Sequence, residues 1–351
     1  MTILLSISFI SVAVVFTRVY LFFANKTKPT GLSTNKISFN SINNETQSSS
    51  AWSWKKKSKK PGKKSIKDSD GFFNSIPDAD WKQIKEETKN IINIQDGITQ
   101  RTSYLLSESG ANIDSDSWWI DNWKPNFNGC QNKMYIGGKW LCDPQRVVAI
   151  ADELYESNKP KRKKRGSTQQ KECIIYISPD EIEFADQFLD YSMARMSELH
   201  SSDEEESIDL VVCELHIFAP HGQEIQTTRD GIFIHNWGFR PSNKESMGVA
   251  GASFKTLQQT ITELGHAGRI SMLVVDCEGC EWDLYPDILS LADHVKQVLL
   301  QMHGTPFMAN DLFLAMQQNG YLIYHRAASG YAEIHDYSFI KMEPNFYNWK
   351  D

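Results

Sequence analysis

Residues 271–284 read SMLVVDCEGCEWDL, and this stretch decides the fold. Ser271–Val275 is a short apolar run, which predicts a buried strand. It ends in Asp276-Cys277-Glu278-Gly279-Cys280-Glu281. Three carboxylates, Asp276, Glu278 and Glu281, crowd around Gly279, a residue that lets the backbone turn tightly. Carboxylates at a strand end bind hydroxyls, an ammonium group or a cation, or act as a base. A helix over Trp282–Leu291 is expected to follow.

Working outward, strands and helices alternate. Cys173–Ile177, Asp209–Phe218, Ile232–Trp237, Ser271–Val275 and Val295–Met302 predict strands. Asp180–His200 carries apolar residues at near-helical spacing. Ser253–Gly265 predicts a helix with Ser253 as N-cap and Gly265 as C-cap. Ala309–Gln318 predicts another helix, and Tyr321–His325 with Ile334–Met342 a final hairpin across Gly330. The alternation implies an α/β fold with a mostly parallel sheet and helices on both faces. In such sheets ligands sit beyond the carboxyl ends of the strands. The residues there are Ser178-Pro179-Asp180-Glu181, Ala219-Pro220-His221, Gly238-Phe239-Arg240, the Asp276–Trp282 segment and His303-Gly304-Thr305.

The 351 residues suffice for one full domain plus additional segments. With 40% hydrophobic residues the composition excludes collagen, a wholly disordered chain and a multi-span membrane protein. Charge is uneven. Residues 1–171 hold 27 Lys/Arg against 16 Asp/Glu, and residues 172–351 hold 10 against 28. Residues 3–24 (ILLSISFISVAVVFTRVYLFFA) are apolar apart from scattered Ser/Thr and Arg18. About 20 apolar residues cross a bilayer, so residues 1–24 predict an uncleaved membrane anchor. A cleaved signal is the rival. Arg18, Lys26 and Lys28 favour a cytosolic flank, whereas the glycosylation patterns at Asn25 and Asn44 favour a lumen.

Residues 25–71 are rich in Ser, Asn, Thr and Lys and predict a disordered basic stalk. Residues 72–127 predict an aromatic cover, with Phe72, Phe73, Trp81, Trp118, Trp119 and Trp123, and a short helix over Lys82–Ile94 with Asp80 as N-cap. Residues 128–351 form the expected domain, with a basic loop at 159–171 that also resembles a dibasic processing site.

The Asp276–Trp282 segment resembles the D-x-E-G-x-E signature of FkbM-type methyltransferases. Gly138-Lys139-Trp140-Leu141-Cys142-Asp143-Pro144, His235-Asn236-Trp237-Gly238 and Leu299-Leu300-Gln301-Met302-His303-Gly304 extend the likeness to the methyltransferase-like-twenty-four type over residues 128–342. This resemblance implies a class I S-adenosylmethionine (SAM) methyltransferase-like, Rossmann-like fold with seven strands and a C-terminal β-hairpin. It places cofactor contacts at Ser178, Asp180, Ala219, Asp276, Glu278 and Gly279, and catalytic roles at Asp276, His303 and His235. It also implies an N-terminal membrane anchor, and a membrane of the secretory pathway, Golgi included, is the expected location.

The chain departs from that family pattern at three points. The loop after the first strand, Tyr176-Ile177-Ser178-Pro179-Asp180, has no glycine, and proline removes an N–H and restricts φ. Ala219 stands where the family has an acid for the ribose hydroxyls. Losing a charge-assisted hydrogen bond of about 1.5–3 kcal/mol weakens binding roughly tenfold to a hundredfold. Gln301 stands where Glu is frequent, and Asp180 or Glu224 would have to compensate.

Cys277 and Cys280 form a CxxC pair. Neighbouring acids raise a thiol pKa and disfavour a reactive thiolate. Zinc needs four ligands, and His216 or His303 lack motif spacing, so no metal site is expected. The pair is expected simply to pack the turn. A disulfide between Cys130 and Cys142 suits a lumenal domain, and Asp143 suits a turn.

Three functions compete. One is a membrane-anchored SAM-dependent methyltransferase acting on an oxygen of a small-molecule or glycan acceptor. The second is a degenerate relative that binds without turnover. The third, a nucleic-acid or membrane-surface binder using Lys55–Lys64, is disfavoured for nucleic acid by the anchor.

Overall fold

The computed structural model describes residues 72–109, 122–148, 173–199, 213–221, 229–245, 249, 251–266, 270–304, 309–328 and 334–347. All lie in the compact unit Pro61–Asp351. The expected anchor 1–24, the stalk 25–71, the basic loop 159–171, Trp118, Trp119, Glu224 and Gly330 lie outside the described residues.

A seven-stranded sheet organises this unit. Its strands are β3 (Ile174–Ile177), β4 (Glu214–Phe218), β5 (Ile232–His235), β8 (Ile270–Val275), β9 (Val295–His303), β10 (Tyr321–Ala328) and β11 (Ile334–Lys341). Their order is β10-β11-β9-β8-β3-β4-β5. The pairs β3–β4, β3–β8, β4–β5 and β8–β9 are parallel. The pairs β9–β11 and β10–β11 are antiparallel. The sequence reading of an α/β fold with a closing hairpin is therefore met. The switch point lies where β3 parts β4 from β8.

Successive strand residues point to opposite faces, and both faces are covered. On one side Ile175, Ile177, Leu215, Ile217, Met272 and Val274 pack with Phe184 and Phe188 of α2 (Ile182–Leu199). On the other, Ile174, Tyr176, Leu273, Val275, Val298 and Leu300 meet three helices. These are α3 (Leu257–Leu264), α4 (Glu281–Ser290) and α5 (Ala309–Gln318). Burial on both faces explains the near-continuous apolar strands.

Helix limits moved for local reasons. Phe254–Lys255 (β7) pairs with Gly238–Phe239 (β6), so α3 starts later than Ser253. Thr256 is its N-cap, in a capping box with Gln259, and Gly265 ends it at φ 72° as expected. The N-terminal helix, α1, runs over Asp78–Ser109 rather than 82–94. Pro77 accepts the Trp81 N–H, so Asp80 lies inside the first turn and does not cap it. There its charge meets the positive helix end.

The aromatic segment before the sheet is buried. Phe72, Phe73 and Trp81 are 4% exposed or less and join Phe127 and Phe346 in one cluster. The hairpin β1 (Lys133–Ile136) and β2 (Lys139–Cys142) lies against α2. Its turn demands glycine: Gly137 has φ 49°, and a Cβ there would stand 2.2 Å from the Phe184 Cα.

All six cysteines are paired. The bonds are Cys130–Cys142, Cys173–Cys213 and Cys277–Cys280. The first meets the expectation. The third corrects the reading of Cys277 and Cys280 as merely packing residues.

Candidate functional site

A cavity of about 380 Å³ opens at the carboxyl ends of β3, β4 and β8, beside the switch point. Ligand cavities typically span roughly 300–1,000 Å³. Phe218, Phe239, Phe254 and Leu284 form apolar wall, and Asp180, Asp276 and Glu278 supply carboxylates.

The loop after β3 is built around Ser178. Its N–H donates to the Val274 carbonyl at 3.0 Å, and its hydroxyl donates to the same carbonyl at 3.2 Å. The hydroxyl oxygen accepts the Asp276 N–H at 2.9 Å. Pro179 then opens a short 3₁₀ turn, Pro179–Glu181, where its missing N–H leaves no donor unpaired. Proline thus fits the loop without breaking it.

After β8 the chain turns with Glu278 at φ 52° and Gly279 at φ 109°. Glu278 is a non-glycine residue held in the left-handed region at the cavity wall, where local strain is usual. Glu281 is fully buried and holds the turn from inside. It accepts the Gly279 N–H at 2.9 Å and the His303 N–H at 2.7 Å. Its Oε1 also lies 3.2 Å from His303 Nδ1, and His303 Nε2 lies 3.6 Å from Asp276 Oδ1. A carboxylate, an imidazole and a second carboxylate thus run from the interior to the cavity. Burial raises the Asp276 carboxyl above its ordinary value, while the charges of Lys139 and His303 pull it back.

Behind this line is a buried network. Lys139 Nζ is 2.7 Å from Glu181 and 3.0 Å from Asp336, and Gln301 donates to Asp336 at 3.3 Å. Burial works against the Lys139 charge, but the two carboxylates outweigh it and raise its pKa. Burial also raises Glu181, despite Lys139 beside it.

Ser178, Asp180, Asp276 and Glu278 therefore converge on the cavity, and Gly279 shapes its rim turn. His303 stands behind Asp276. Ala219 is buried and donates its N–H to the His235 carbonyl, with no carboxylate at that position. His235 is drawn elsewhere: its Nε2 meets His216 Nδ1 at 2.9 Å, and its ring stacks on Phe218. Burial pushes its pKa down to about 4. Asp143 is buried at φ 47° and accepts the Gln131 and Asn132 N–H groups, far in sequence from any cavity residue. Sequence reading missed Glu281 as the internal anchor, and the wall formed by Phe239, Phe254 and Leu284. Apolar residues on three separate elements leave no short motif.

A seven-stranded sheet in this order, with its last strand inserted antiparallel and a carboxylate-lined cavity at the switch point, defines a methyltransferase-type α/β domain. The chain belongs to the family described as a methyltransferase domain, whose match covers residues 63–341. No curated protein matches. Among solved structures it is similar to the Methanococcus jannaschii fibrillarin pre-rRNA processing protein, at 8% identity and TM-score 0.33 over 60% of this chain and 83% of that one. An Aeropyrum pernix fibrillarin bound to SAM gives 11% identity and TM-score 0.28 over 60% and 82%. The Synechocystis magnesium protoporphyrin IX methyltransferase, bound to SAH, gives 9% and 0.27 over 56% and 83%.

Proposed function

We propose that this chain is a SAM-dependent methyltransferase acting on an oxygen of a small-molecule or glycan acceptor. The observation that carries this reading is the cavity at the β3, β4 and β8 ends, with Asp276 on its wall and the His303–Glu281 pair behind it. Its residues suit SAM in charge and size. The cofactor is cationic at its sulfonium and ammonium groups, and Asp180, Asp276 and Glu278 face it with carboxylates. Phe218, Phe239, Phe254 and Leu284 offer an apolar wall for the adenine. Asp180 or Glu278 stands in for the acid that Ala219 lacks. Bound SAM supplies an electrophilic methyl group.

The chain's own residues supply position and a proton acceptor. Asp276, made more basic by burial, takes the proton from an acceptor hydroxyl. His303 stands 3.6 Å from Asp276 and is itself held by Glu281 through both its ring and its backbone N–H. Positioning of this kind contributes much of the barrier reduction in displacement reactions. Calorimetric titration with SAM and SAH tests the reading. One-to-one binding is expected, and no heat at millimolar SAM would overturn it.

Buried Ala219 favours a second reading, a binding module of the same fold that does not turn SAM over. SAM binding with no methyl transfer to any oxygen acceptor separates it from the first.

We further infer a lumenal, single-pass membrane protein of the secretory pathway, anchored through residues 1–24. No described helix is long and apolar enough to cross a membrane, and residues 1–24 lie outside those described. The inference is supported by their apolar sequence and by the pairing of all six cysteines, which suits an oxidising compartment. Glycosidase sensitivity at Asn44 tests it.

A further inference from the structure

Four residues upstream of the cavity end of β4, a second cluster of donor groups lies between the sheet and the end of α3. Glu214 and His216 alternate on one face of β4, and His266 follows the Gly265 cap of α3. One donor atom from each lies within 4.8 Å of the others. Strand rise sets Glu214 about 13 Å and His216 about 7 Å from the Phe218 end of β4.

The distances are informative. His216 Nε2 is 3.6 Å and His266 Nε2 is 3.8 Å from the same oxygen, Glu214 Oε2. Both are too long for hydrogen bonds. Two ligands on one tetrahedral zinc, with bonds of about 2.1 Å, stand about 3.4 Å apart. His216 is 5% exposed, yet its Nε2 has no hydrogen-bond partner and points into this gap. A buried, unsatisfied ring nitrogen needs an explanation, and an ion is one.

Both histidines are also held from behind. His216 Nδ1 meets His235 Nε2 at 2.9 Å, and His266 Nδ1 meets the Tyr176 hydroxyl at 3.0 Å. With each Nδ1–H donating to that partner, each Nε2 presents a lone pair, the arrangement found at metal-bound histidines. Glu214 keeps 23% of its side chain exposed, so an entry path exists.

We propose that Glu214, His216 and His266 form a zinc site with water in the fourth position, clamping the start of β4 to the end of α3. Two imidazoles and one carboxylate suit zinc, and all three must be deprotonated at the ligating atom. His235 and Tyr176 orient the ligands. The site stands apart from the SAM cavity, so the proposal does not depend on methyl transfer.

The test strips the full-length protein with chelator and titrates it with cobalt(II), then displaces the cobalt with zinc. One equivalent with a visible tetrahedral absorption band, and a higher Tm with zinc than with chelator, are expected. Glu214→Gln and His266→Gln should each weaken uptake at least tenfold, and His303→Gln should leave it unchanged. Should His266→Gln not fold, Glu214→Gln decides, because its side chain is partly exposed and the change keeps its size. Absence of one-to-one uptake in the wild type, or uptake unaltered by Glu214→Gln, overturns the proposal.

Discussion

The backbone N–H of Asp276 donates to the Ser178 hydroxyl oxygen at 2.9 Å, which joins the carboxyl ends of β3 and β8 across the cavity floor. Both residues line that cavity. The side chain that would otherwise reach a ligand is occupied in holding the floor, because its proton is directed to the Val274 carbonyl.

Ser178→Ala removes that floor bond and leaves a part-buried N–H unpaired. We predict a loss of about 1–3 kcal/mol of stability, read from denaturant midpoints at unchanged slope. SAM affinity should fall with it, since Asp276 loses its fixed position. Unchanged stability would show that water replaces the hydroxyl.

Asp276→Asn tests the proposed base. The folded carboxyl has a raised pKa, so the base form is lost as pH falls through that raised value. The acid limb of the rate profile should therefore lie above the ordinary carboxylate range, and the variant should lose at least a hundredfold in rate. The stability sign is opposite. An acid whose pKa is raised by folding is disfavoured when ionised, so the amide variant should melt at or slightly above the wild-type temperature at neutral pH. A lower Tm would contradict the assignment of burial as the cause.

Lys139→Met leaves Glu181 and Asp336 facing each other without their cation. Breaking a buried pair from one side costs about 3–5 kcal/mol. We expect a Tm drop on the order of 10 °C for a domain of this size. Adding Glu181→Gln to the variant should restore part of it, and the double-mutant cycle measures that coupling.

The disulfides should separate by role. Cys173–Cys213 closes a loop of 40 residues and Cys277–Cys280 one of 3. Loop-closure entropy gives about 4 kcal/mol for the first and about 2 kcal/mol for the second. Replacing Cys173 and Cys213 by Ala should therefore cost more stability. Replacing Cys277 and Cys280 should cost more ligand affinity, because both line the cavity. Calorimetry on the two double variants reads both quantities.

The sheet was legible because its strands are buried on both faces and so read as near-continuous apolar runs, as at Ile174–Ile177 and Ile270–Val275. The acidic turn was legible too, since Asp276, Glu278 and Glu281 lie within six residues. What was not legible depends on distant pairings. Glu281 read as one of three equivalent acids, yet its contact with His303, 22 residues on, sends it inward. His235 read as a strand-end base, yet cross-strand neighbours place it beside His216. The start of α3 moved because a two-residue strand pairing claimed Phe254 and Lys255, an interaction invisible in helical periodicity. Ser178 read as one member of a weakened cofactor loop, and only its bonds to Val274 and Asp276 show it to be structural.

The aromatic cluster at the edge of the fold bears on how the chain is made. Trp81 packs on Phe346 with ring centroids 5.6 Å apart, and Phe73 and Phe127 fill the space beside them. A ribosome delivers the tryptophan long before the phenylalanine, at roughly 5–20 residues per second. For that interval Phe72, Phe73 and Trp81 have no partner from the carboxyl-terminal turn, and the nascent chain carries an adhesive apolar surface. Completion of this cluster thus waits until Phe346 has emerged from the ribosome.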